Sequence, residues 1–150
     1  MPTRRDLLEG AAAGALVSVA LLRPARAAAE RLADAMRDFT GGAPVRPGRV
    51  TLEVPPLVEN GNTVPLSVRV DSPMTEADHV QAIAVFNERN PQPNVIVARL
   101  GPRAGRAEVA TRIRLATSQR LVAVARMSDG GFWSDSGSVV VTLAACVEGG

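Results

Sequence analysis

From residue 49 to residue 143 the chain is a succession of short apolar runs, each closed by proline, glycine or asparagine. This cadence limits the fold more than any other feature. Val109, Thr111, Ile113 and Leu115 alternate with Ala110, Arg112, Arg114 and Ala116, the two-residue period of a half-buried strand. Val50–Val54 alternates and stops at Pro55-Pro56, because proline cannot donate to a central ladder. Asn60-Gly61-Asn62 marks a turn before Val64–Val70, where Leu66, Val68 and Val70 point one way and Ser67 and Arg69 the other. Val95–Leu100, Leu121–Met127 and Ser138–Leu143 complete the clearer strands, and Ser128-Asp129-Gly130-Gly131 reads as a hairpin turn with Phe132-Trp133 on its far side. Residues 79–87 suit a helix or a strand on periodicity alone, since Ile83 and Val85 alternate while Val80, Ile83 and Ala84 fit a helical face. About seven short strands, with turns roughly every 8–12 residues and no repeat, predict an all-β, immunoglobulin-like β-sandwich. A small barrel is the alternative.

Two segments precede this region. Residues 1–27 have the layout of an export signal: the pair Arg4-Arg5 followed by Leu7 and Leu8, a weakly apolar run from Ala11 to Leu22, and the small-residue site Ala25-Arg26-Ala27. The arginine pair resembles a twin-arginine (Tat) signal, with cleavage expected after Ala27 and Ala29 as the next choice. The apolar run is too short to span a bilayer, which takes about 20 residues. Residues 28–48 are expected to hold an N-terminal helix and a linker. Glu30–Phe39 places Leu32, Ala33, Met36 and Phe39 on one face, available to pack on the domain or on a partner, and Gly41-Gly42 supplies the stop. The sandwich then covers residues 49–143 and a flexible tail residues 144–150.

Charge must be counted after this division. Residues 1–27 hold four of the 17 basic residues (Arg4, Arg5, Arg23, Arg26) and two of the 15 acidic ones (Asp6, Glu9), so 13 of each remain. A formally neutral mature chain gives no support to nucleic-acid binding, which needs a lasting basic surface.

Most catalytic constellations are excluded by counting. The chain has one histidine, His79, and one cysteine, Cys146, whereas a metal site of these ligands needs three or four. No glycine motif of the phosphate-cradling type occurs, and a dithiol oxidoreductase lacks its second cysteine. His79 reads as a surface histidine, Trp133 as hairpin packing, and Arg103 and Arg106 as a loop pair that is a candidate for partner docking or anion contact. No cofactor and no metal are expected. What remains is a thiol on a short tether. From Thr142 to Cys146 the chain reaches at most about 13–14 Å when extended, enough to enter another protein's cleft. Glu148 and the terminal carboxylate disfavour the thiolate, so an activating positive charge is expected from a docked partner.

Several blocks carry a family resemblance: Glu59-Asn60-Gly61-Asn62-Thr63-Val64-Pro65, Val70-Asp71-Ser72-Pro73-Met74, Phe86-Asn87-Glu88-Arg89-Asn90-Pro91, Leu100-Gly101-Pro102-Arg103-Ala104-Gly105-Arg106-Ala107, Thr111-Arg112-Ile113-Arg114-Leu115 and Met127-Ser128-Asp129-Gly130. Together they resemble SoxY, the sulfur-carrier subunit of the periplasmic thiosulfate-oxidising system, over essentially the whole chain. The resemblance implies an immunoglobulin-like sandwich paired as a heterodimer with a SoxZ-like β subunit, and a strand at residues 79–87. It implies that Cys146 carries sulfur compounds covalently between a heme enzyme, a sulfate-releasing hydrolase and, in some organisms, a sulfane dehydrogenase, the carrier itself catalysing nothing. It further implies export to the periplasm, with no nucleic acid and no membrane association after signal cleavage. The tail departs from the family, whose cysteine has glycines on both sides. Here it reads Ala144-Ala145-Cys146-Val147-Glu148-Gly149-Gly150. Alanine and valine restrict the backbone where glycine does not, so a stiffer carrier arm is expected.

Overall fold

The computed structural model describes residues 24–143. Residues 24–40 form a helix, α1, followed by nine strands: β1 (Val45–Pro47), β2 (Val50–Glu53), β3 (Leu57–Asn60), β4 (Val64–Val70), β5 (Val80–Asn87), β6 (Asn94–Arg99), β7 (Ala107–Ile113), β8 (Gln119–Met127) and β9 (Phe132–Leu143). They build two facing sheets. The larger runs β1-β9-β8-β5-β6, with β3 also paired to β9, and the smaller is β2-β4-β7. The β-sandwich expected from the cadence of the chain is therefore present, and the barrel alternative is not.

The core has two parts because the larger sheet is covered on both faces. Between the sheets lie Val64, Leu66, Val68, Ile83, Val85, Leu115, Leu121, Ala123 and Ala125, among others. On the outer face, Leu32 and Ala35 of α1 pack against Ala84, Phe86, Val122, Val124 and Phe132. This explains the ambiguous run at residues 79–87. In β5 every residue from Ala82 to Asn87 is buried, so both faces of the strand are apolar and no two-residue period shows. The strand implied by the resemblance is correct.

α1 packs on the domain, with Leu32, Met36 and Phe39 inward as expected but Ala35 in place of Ala33. Ala35 is buried and Ala33 exposed, with Met36 and Phe39 half-buried. Arg126 fixes its C-terminal end: Nη2 donates to the Phe39 carbonyl oxygen at 2.7 Å, and the guanidinium lies over the rings of Phe39 and Phe132 at 5.2 and 5.4 Å.

Three strand assignments differ from expectation. β1 lies within the stretch read as linker, and pairs in parallel with β9 through Val45 and Phe132. β3 follows directly after the proline pair and also runs parallel to β9, with Leu57 opposite Val140 and Asn60 opposite Leu143. β9 is one strand of twelve residues, not a hairpin arm and a separate final strand. Its polar middle, Ser134-Asp135-Ser136-Gly137, falls between the two expected segments, yet each residue has a place in the ladder with β8. Asp135 Oδ2 accepts the Leu52 N–H of the opposing sheet at 2.8 Å. Gly137 makes room for the chain leaving β2, since a Cβ there would stand 3.0 Å from Val54 Cγ2.

Candidate functional site

Every residue that ends the described chain is pinned. The Val140 N–H donates to the Pro56 carbonyl at 2.9 Å, and the Gly61 N–H donates to the Leu143 carbonyl at 2.9 Å. Between them the Val141 N–H donates to Ser118 Oγ at 2.8 Å, and the Ser118 hydroxyl returns to the Val141 carbonyl at 3.4 Å. Thr142 Oγ1 donates to the Glu59 carbonyl at 3.2 Å. Beyond this anchor Cys146 is three residues on, at most about 10–11 Å of extended chain. Cys146 and its neighbours Ala144, Ala145, Val147, Glu148, Gly149 and Gly150 lie outside the described residues, as do Arg4 and Arg5 of the predicted signal.

The surface at this anchor is apolar on one side and basic on another. Leu57 and Val140, opposite each other in register, are 58% and 52% exposed, and Leu143 is 65% exposed. Arg112 and Arg114, both exposed, stand at the end of β7 nearest the anchor. Arg112 Nη1 donates to Thr63 Oγ1 at 3.4 Å, two residues from the Gly61 that holds Leu143. Together with Asn90, Pro91, Val95 and Ile96, the two arginines line an open recess of about 470 Å³. Neither arginine forms an ion pair among the described residues, whereas Arg49 pairs with Asp78 at 3.7 Å and Arg69 with Glu108 at 3.8 Å.

The loop behind the recess is held by an amide cluster in which Asn87 and Gln119 are buried and Asn90 is half-buried. Asn90 Nδ2 donates to the Arg114 carbonyl at 2.9 Å, while its Oδ1 accepts the Ala116 N–H at 3.0 Å and Gln119 Nε2 at 2.7 Å. Asn87 Oδ1 accepts the Asn90 N–H, and Gln119 Oε1 accepts the Arg89 N–H. These contacts tie the loop after β5 to the loop after β7 and fix the recess between them.

Arg103 and Arg106 are at the other end of the sandwich. They lie in and just after a single turn of 3-10 helix, Pro102–Ala104, between β6 and β7. β7 pairs Ala107 with Val70 and Ile113 with Val64, so the six-residue step along it separates the two basic pairs by roughly 20 Å. The structure does not bring Arg103 and Arg106 to the base of the Cys146 arm. The pair that is there was legible in outline: alternation puts Arg112 and Arg114 on one strand face, but only the β3–β4 turn reveals that this face adjoins the chain's exit.

His79 and Trp133 also belong to that far end. His79 Nδ1 lies 3.0 Å from the Thr75 carbonyl, and the His79 N–H donates to Ser128 Oγ at 3.0 Å. Trp133 stacks under Arg46 at 4.6 Å and lies 5.8 Å from Arg49, a packing role on the hairpin. Among the described residues no three His, Cys, Asp or Glu side chains are grouped to hold a metal ion, and no helix is long and apolar enough to cross a membrane.

Comparison with known proteins gives the fold a family. No curated protein sequence matches the chain. Among solved structures, the sulfur carrier protein SoxY from Chlorobium limicola f thiosulfatophilum is 28% identical, with a TM-score of 0.65, over 77% of this chain and 99% of that one. The superoxide reductase (neelaredoxin) from Ignicoccus hospitalis is 18% identical with a TM-score of 0.57, over 63% of this chain and 80% of its own. A putative superoxide reductase from Thermotoga maritima is 22% identical with a TM-score of 0.52, over 69% and 89%. The reductases share the immunoglobulin-like fold alone. The family described as sulfur oxidation protein SoxY matches residues 36–146, a span that begins in α1 and ends on Cys146. The chain belongs to the SoxY family.

Proposed function

We propose that this protein is the thiol carrier of a sulfur-oxidation system, with Cys146 as the covalent attachment point. The observation that carries the reading is the coincidence of the family match, which reaches Cys146, with an anchor that pins the chain three residues earlier at Leu143. A thiol so placed is displayed at a bounded radius from a rigid body, which is what delivery to several enzymes in turn requires. The thiolate is the reacting species. Thiosulfate joins it by a sulfur–sulfur bond, with loss of the thiol proton and transfer of two electrons to a heme partner. Water then cleaves the terminal sulfonate as sulfate, leaving a persulfide on Cys146, and a sulfane dehydrogenase takes up the remaining sulfur in systems that have one. The carrier contributes no catalytic residue to these steps.

The remaining parts follow from the same reading. A SoxZ-like β-sandwich subunit completes a heterodimer, and Arg103 and Arg106, far from the arm, are candidates for its docking or for anion contact. Arg4 and Arg5 direct export by the twin-arginine route to the periplasm. The alternative is a divergent subunit that binds the same partner but carries nothing, and the Ala-Ala-Cys-Val-Glu context is what favours it. Intact mass of the protein purified from cells oxidising reduced sulfur separates the two. The expected result is a set of reductant-labile sulfur additions mapped to Cys146 and lost in Cys146→Ser. A single unmodified mass during turnover overturns the carrier reading.

A further inference from the structure

We infer that Arg112 and Arg114 form an anion-receiving surface at the base of the arm, which takes the negatively charged sulfonate end of cargo attached to Cys146. This rests on the carrier reading of Cys146. The geometry points to it in three ways. The two guanidinium groups stand on an exposed strand end and make no ion pair among the described residues, so their charge is not spent within the described fold. They border a fixed recess whose other walls are the Asn90–Pro91 loop, held by the hydrogen bonds given above, and Val95 and Ile96 of β6, with Ile96 paired to Val85 of β5. Their distance from the arm is bounded. Gly61 holds Leu143 at 2.9 Å and Thr63 holds Arg112 at 3.4 Å, and two peptide steps between Gly61 and Thr63 span at most about 7.6 Å.

The guanidinium of Arg112 thus lies within about 18 Å of the last anchored carbonyl, and three residues of arm cover about 10 Å. A sulfonate on a Cys146 disulfide extends that reach further. Guanidinium groups suit it, since they present planar paired donors to oxyanions. The surface supplies on this chain some of the positive field that the sequence left to a partner. Lys would supply the charge but not the paired donors.

The test is the charge selectivity of Cys146. The full processed protein is treated with an anionic aromatic disulfide, 5,5′-dithiobis(2-nitrobenzoate), and with uncharged 4,4′-dithiodipyridine. In each case the thiolate attacks the disulfide and releases one aromatic thiolate, so the two rates differ mainly by the charge of the reagent. In Arg112→Gln/Arg114→Gln the anionic-to-neutral rate ratio is expected to fall about three- to tenfold at about 10 mM salt, and the difference to shrink at 0.5 M. Arg112→Lys/Arg114→Lys should keep most of the ratio. Arg69→Gln/Arg99→Gln, which removes the same net charge from exposed positions at the far end, should leave it unchanged. A ratio unaffected by the Arg112/Arg114 pair, or lowered equally by the Arg69/Arg99 pair, overturns the inference. Either outcome leaves the mass test of the carrier reading standing, and absence of sulfur adducts in cells would sink that reading without touching the measured selectivity.

Discussion

Asn90 shows how much one side chain can organise at this end of the molecule. It lies in a loop of asparagines and prolines, a composition that reads only as a turn. Yet its amide closes four hydrogen bonds when its own N–H to Asn87 is included, and it joins two loops that are far apart in sequence. Cutting it to alanine leaves the Ala116 N–H without its partner and the buried Gln119 amide with only its bond to the Thr117 carbonyl at 3.1 Å on the donor side. An unsatisfied buried donor costs roughly 1–3 kcal/mol, so with one half-buried donor orphaned Asn90→Ala is expected to lower unfolding stability by about 1–2 kcal/mol in urea titration. Asn90→Asp should be nearly as damaging, because it removes the donor to the Arg114 carbonyl. No loss in either variant would mean that solvent replaces the cluster freely. The individual residues were legible, since Asn87 and Asn90 stand out in the chain, but their partners were not. Hydrogen bonds between residues 90 and 119 leave no periodic trace in sequence.

At the scale of the element, α1 and β9 show opposite failures of local reading. The helix was legible because its spacing and its Gly41-Gly42 stop are local properties. Its buried face was misjudged by one position, Ala35 for Ala33, because the sheet it lies on determines which stripe is covered. β9 was divided in two because serines, an aspartate and a glycine occupy its centre. They are tolerated there since Asp135 bridges to β2 and Gly137 admits Val54, both tertiary facts. The docking of α1 depends on Arg126, which caps the Phe39 carbonyl and lies across two aromatic rings. A charge-assisted hydrogen bond contributes about 1.5–3 kcal/mol, and a half-buried cation over a ring about 1 kcal/mol. Arg126→Gln is therefore expected to destabilise the protein by about 2 kcal/mol. Hydrogen exchange should localise the loss to residues 24–40 and leave β4 and β8 protected. Uniform deprotection of both sheets would show that α1 is not a separable layer.

Across the whole molecule, the sandwich separates an end that faces the Cys146 arm from an end that carries Arg103, Arg106, His79 and Trp133. Nothing in a linear reading orders loops by end, which is why the loop arginines drew notice and Arg112 and Arg114 did not. The same topology bears on whether the arm is an appendage or part of the fold. The ladder between β3 and β9 closes at Asn60 and Leu143, and the Gly61 bond to the Leu143 carbonyl survives if the chain is cut after that residue. Among the described residues, the two core clusters run from Leu32 to Val141. Removing residues 144–150 leaves every described core side chain and every described ladder pair in place. The carrier reading keeps the segment outside the packed body, and a surface change of that kind stays within about 0.5 kcal/mol. A chain ending at Leu143 is expected to unfold at the temperature of the full-length protein, with the same cooperativity, while losing all sulfur adducts. A drop of more than about 2 kcal/mol, the size of a core truncation, would place the segment inside the packed structure. A thiol buried there could not be presented to successive enzymes, and the carrier reading would fail on stability alone.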